Sequence, residues 1–85
     1  MKFDLRKIPE AMQWVYEENG YRSTILLSHE GVFFSGIPLD PDDDGEYGGA
    51  YRMSHRDFLR TKDRRFRKED AHFEIVRILE EARLH

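Results

Sequence analysis

The sequence predicts an α+β domain: a small antiparallel sheet packed against an N-terminal helix and a long C-terminal helix. Three observations carry that expectation. Two neighbouring runs, Tyr21 to Ser28 and Val32 to Phe34, are rich in β-branched, aliphatic and aromatic residues. Apolar residues recur at helical spacing before an Asn19-Gly20 pair. A longer stripe of the same spacing runs toward the end of the chain. The 85 residues are enough for one domain, 1–85, with a thin core.

Phe3 and Leu5 alternate with charged neighbours, which suggests a short edge strand at 2–6. Pro9 suits the first position of a helix and Glu10 its positive end. Ile8, Met12 and Val15 share one helical face, and Gly20 can take the left-handed conformation that ends a helix. The first helix is therefore expected over about 9–19. A β-hairpin follows at about 21–36, turning at Ser28-His29-Glu30-Gly31. Gly36 and Pro38 end or kink its second strand, and Ala50–Met53 offers a further short one.

Ser54 with Asp57 three residues on reads as a helix start, giving a short helix at about 55–61 that buries Phe58 and Leu59. The last helix is expected at about 66–84. His72, Ile75, Val76, Leu79 and Ala82 form its stripe, widened by Phe66, Phe73 and Ile78.

Charge is segregated along the chain. Asp40, Asp42, Asp43, Asp44 and Glu46 fall in a long polar stretch, 40–49, that reads as a mobile acidic loop. Arg52, Arg56, Arg60, Lys62, Arg64, Arg65, Arg67 and Lys68 follow, against only Asp57 and Asp63. The net charge of −3 conceals both patches. Local fields of this kind steer partners.

The function expected from this pattern is a non-enzymatic interaction module of the adaptor, immunity-protein or phage-inhibitor type. A protein partner would dock through Asp42, Asp43, Asp44, Glu46, Tyr47 and Tyr51, and through Arg52, Arg56, Arg60, Arg64, Arg65 and Arg67. Tyr and Arg are favoured at interface hot spots. Trp14 is read as a packed residue instead.

Two alternatives use the same stretches. The Arg-rich segment 52–68, with Phe58 and Phe66 interleaved, could bind RNA or DNA. A helix–sheet unit with a basic start to its last helix is similar to the double-stranded RNA-binding domain. The chain lacks that domain's glycine-rich turn and paired lysines. Asp40-Pro41-Asp42-Asp43-Asp44-Gly45 resembles the start of EF-hand and dockerin calcium loops, with Asp40, Asp42 and Asp44 as ligands. The resemblance ends there, since Tyr51 holds the place of the bidentate glutamate.

Several classes drop out. With no cysteine there is no disulfide, thiolate metal site or cysteine nucleophile. His29, His55, His72 and His85 have no zinc-site spacing, and no nucleophile elbow occurs, so neither an enzyme nor a cofactor is expected. The start Met-Lys-Phe-Asp-Leu-Arg-Lys lacks a signal-peptide core, and no run approaches the ~20 apolar residues of a membrane span. The expectation is a cytoplasmic domain with no membrane partner. A sheet edge and the last helix are its candidate faces for self-association.

Overall fold

The computed structural model describes residues 2–42, 48–63 and 66–85, apart from the side chain of Glu69. The chain is mostly sheet. Four antiparallel strands follow one another in chain order: β2 (Ala11–Glu18), β3 (Tyr21–Ser28), β4 (Gly31–Pro38) and β5 (Gly49–Met53). A two-stranded sheet pairs β1 (Lys2–Phe3) with β6 (Arg83–Leu84). The helices are α1 (His55–Arg60) and α2 (Glu69–Ala82).

The helix expected at 9–19 is not present, and this overturns the expected architecture. Met12, Trp14 and Tyr16 alternate with Gln13, Val15 and Glu17 across the pleat of β2. Trp, Val and Tyr in sequence favour that pleat. Asn19 and Gly20 have φ of 53° and 79°, the conformation of a type I′ turn. They do not end a helix but join β2 to β3. The strand expected at 2–6 shrinks to β1, because Leu5–Lys7 forms a 3₁₀ turn. Asp4 caps that turn through the Arg6 N–H, and the hydrogen-bonded Arg6 guanidinium holds its carboxyl below the usual carboxylate range.

The last helix also starts later than expected, at Glu69. Phe66 lies before it and packs on Phe34 and Tyr51. Ala71, Ile75, Ile78, Leu79 and Ala82 are the buried residues of α2, whereas Phe73 is 69% exposed. Lys68 at the N-cap gives no side-chain cap. Instead the Tyr16 hydroxyl accepts the Ala71 N–H at 3.2 Å, satisfying one of the orphan donors of the first turn. Lys68 also pairs with Glu18. At the other end the Asp4 N–H donates to the Ala82 carbonyl at 2.7 Å.

Residues directly opposite in the ladder share a face of the sheet. The helix-side face carries Ile25, Leu27, Val32 and Met53, which meet Phe58 and the α2 stripe in one core. Ile8 joins them from the segment before β2. The opposite face carries Val15, Leu26, Phe33, Ile37 and Arg52, none of them in that core. Val15 and Ile37 are 51% and 61% exposed. Gly31 lies where β4 begins, with φ of +144° and the Met53 carbonyl close by; a Cβ there would sit 2.6 Å from that oxygen.

Candidate interaction surface

Ser54 opens α1 by accepting the Asp57 N–H on its hydroxyl oxygen at 3.1 Å. A six-residue helix does not persist alone. Fully buried Phe58 holds it in place, its ring 6.2 Å from that of Phe34 and 5.4 Å from that of His72. With Phe58 inward, Arg56 and Arg60 lie outward, one turn apart. Arg52 projects from β5 on the open sheet face, opposite Phe33.

Tyr51, Arg52, Ser54, Asp57, Arg60 and Thr61 line a depression of about 480 Å³ beside the free edge of β5. It brings together three of the residues singled out by sequence. Arg56 lies outside this lining, exposed on α1, and Arg67 is exposed before α2. Tyr51 is 56% exposed, and its ring stacks on Phe66 at 5.2 Å. Asp43, Asp44, Glu46, Tyr47, Arg64 and Arg65 lie outside the described residues, as does half of the 40–49 loop.

Ion pairing separates the cations into two groups. Among the described residues, every arginine outside 52–67 has a carboxylate partner. Arg6 pairs with Asp4, Arg22 with Glu17, Arg77 with Glu74 and Glu81, and Arg83 with Glu80. Arg52, Arg56, Arg60 and Arg67 make no such pair with any described residue. Asp40 and Asp42 do not reach them; the Asp42 N–H donates to the Asp40 carboxylate at 2.9 Å in a local turn. That turn engages one oxygen of the first candidate calcium ligand. Among the described residues no three His, Asp or Glu side chains gather as a metal site.

Two histidines hydrogen-bond within the fold. His29 Nε2 donates to the Ile8 carbonyl and His55 Nε2 to the Ser28 carbonyl, each at 2.7 Å. A carbonyl only accepts, so both nitrogens carry a proton. The buried Nδ1 of His72 has no partner, and burial, aided by the Arg67 charge, pushes its imidazole pKa down. A larger hollow of about 750 Å³, between the glycine-bearing ends of β4 and β5 and the segment before α2, is lined by no histidine.

Sequence reading missed the open sheet face. The signal was available: β2 alternates and ends on Asn-Gly, and a fourth strand leaves one face of the sheet without a helix. No protein-family model, curated protein or solved structure matches the chain. No helix among the described residues is long and apolar enough to cross a membrane.

Proposed function

We propose that the chain is a non-catalytic binding module that docks an acidic surface of a partner protein along β5 and α1. Arg52 and Arg60 line the receiving depression, exposed Tyr51 supplies an aromatic contact, and Arg56 and Arg67 extend the positive field. The reading rests on one observation: among the described residues, Arg52, Arg56, Arg60 and Arg67 have no carboxylate partner, whereas every other arginine has one. Unpaired cations set orientation and association rate more than affinity. A protein is favoured over nucleic acid because Phe58 is buried and Phe66 is packed between Phe34 and Tyr51, so neither ring is free to stack on bases. Adaptors and protein inhibitors both work this way, without chemistry of their own.

Affinity capture from the source cell, with wild type and with Arg56→Glu/Arg60→Glu, tests the reading. The expected result is an acidic protein retained only by wild type, rebinding when purified, with an association rate that falls as salt rises. Retention of nuclease-sensitive material in its place would overturn it.

A further inference from the structure

We infer that the chain forms a symmetric dimer by pairing the free edge of β2 with the same edge of a second copy, making one eight-stranded sheet. This does not rest on the binding function proposed above. Among the described residues β2 pairs only with β3, and none of them forms a ladder on its other edge. Natural edges are blunted by lysine, proline, bulges or short length. The β2 edge is eight residues long, contains neither lysine nor proline, and keeps an unbroken register with β3.

The backbone is ready for such a pairing. A two-residue turn makes Glu18 and Tyr21 a hydrogen-bonded pair, and alternation then points the N–H and C=O groups of Gln13, Val15 and Glu17 away from β3. Charge selects the same edge. Glu17 is bonded to Arg22, and Glu18 to Lys68. The depression at the β5 edge instead carries Arg52 and Arg60 against the single carboxylate of Asp57, so two copies meeting there would bring two net positive patches together.

The register follows from the faces. A two-fold axis through Val15 sets Val15 against itself, Gln13 against Glu17, and Trp14 against Tyr16. Every outward backbone group of these residues is then used, and no like charges oppose each other. Moving the axis to Trp14 sets Glu18 against Glu10, which like-charge repulsion disfavours. The favoured dimer places the two β5 depressions at the outer ends of the sheet. Seven strand spacings of ~4.8 Å put them about 34 Å apart, a geometry for two-site binding.

Sedimentation equilibrium of the full chain, from about 10 μM to about 1 mM, reads the result, since an edge contact under about 1,200 Å² is a weak one. Wild type should dimerise with rising concentration. Val15→Lys, which sets two ammonium groups face to face, should remain monomeric with an unchanged circular dichroism spectrum. Gln13→Lys, opposite Glu17 of the second copy, should hold or tighten the dimer. Gln13→Glu should loosen it about threefold or more. If Val15→Lys fails to fold, the two Gln13 variants decide alone. A wild type that stays monomeric overturns the inference. So does a dimer indifferent to Val15→Lys, or Gln13→Lys and Gln13→Glu acting in the same direction, which would point to face-to-face packing.

Discussion

Replacing Phe58 by alanine tests what fixes the arginine-bearing helix. The ring is fully buried, stacked on Phe34 at 6.2 Å and tilted against His72 at 5.4 Å. Removing a buried Phe costs about 3–5 kcal/mol, from lost transfer energy and the cavity left behind. A chain of 85 residues has roughly 4–13 kcal/mol in all. The change therefore takes a large part of the total. Urea unfolding followed by tryptophan fluorescence reads it through Trp14. With m of about 1.5 kcal/mol/M, the midpoint should fall by about 2–3 M. Phe58→Leu keeps most of the volume and should lose less than half as much. A fall below about 0.5 M for the alanine variant would show that Phe58 is not the anchor of α1. Arg56 and Arg60 would then have no fixed placement, and the surface built on them would lose its basis.

Further outcomes follow from single side chains. His72 resists protonation when folded, so its pKa is lowered there. As pH falls below the ordinary imidazole value of about 6.5, the unfolded chain takes up a proton that the folded chain refuses, and stability drops. Thermal melts from neutral to mildly acid pH should show this loss, and His72→Phe should lessen it; an unchanged slope would contradict the assignment. At Gly31, Ala would need both a positive φ and a Cβ 2.6 Å from the Met53 carbonyl. Gly31→Ala should cost about 2 kcal/mol or more in chemical denaturation, and a neutral result would mean β4 and β5 relax apart at that point. Arg52, Arg56 and Arg60 changed together to Gln should alter stability by no more than about 0.5 kcal/mol in the same assay, because none has an ion-pair partner among the described residues.

Parts of the fold could be read from the residues. The chain turns at His29-Glu30 between β3 and β4, and Ser54 caps α1, because turn and cap chemistry is local. The segment before Gly20 was ambiguous. Ile8, Met12 and Val15 satisfy helical spacing, while Met12, Trp14 and Tyr16 satisfy strand spacing. Pairing along the whole of β3 decided between them, and pairing is a long-range interaction that spacing does not contain. The same limit explains α2. Phe66 and Phe73 widen the stripe on paper, yet Phe66 leaves the helix to pack on Tyr51 and Phe34, and Phe73 faces water. Of the candidate site, the arginines could be named from sequence. Their lack of partners could not, because it depends on where Glu17, Glu18, Glu74 and Glu80 reach.

The side-chain N–Hε resonances of Arg52, Arg56, Arg60 and Arg67 test the central claim most directly. They are compared between wild type and a variant with Asp40, Asp42, Asp43, Asp44 and Glu46 all changed to amides. Arginines open to solvent and waiting for a partner predict resonances that stay in place and a melting temperature that does not fall. Arginine resonances that move together, with a melting temperature that drops, would contradict the account, because the acidic stretch would then already occupy the surface.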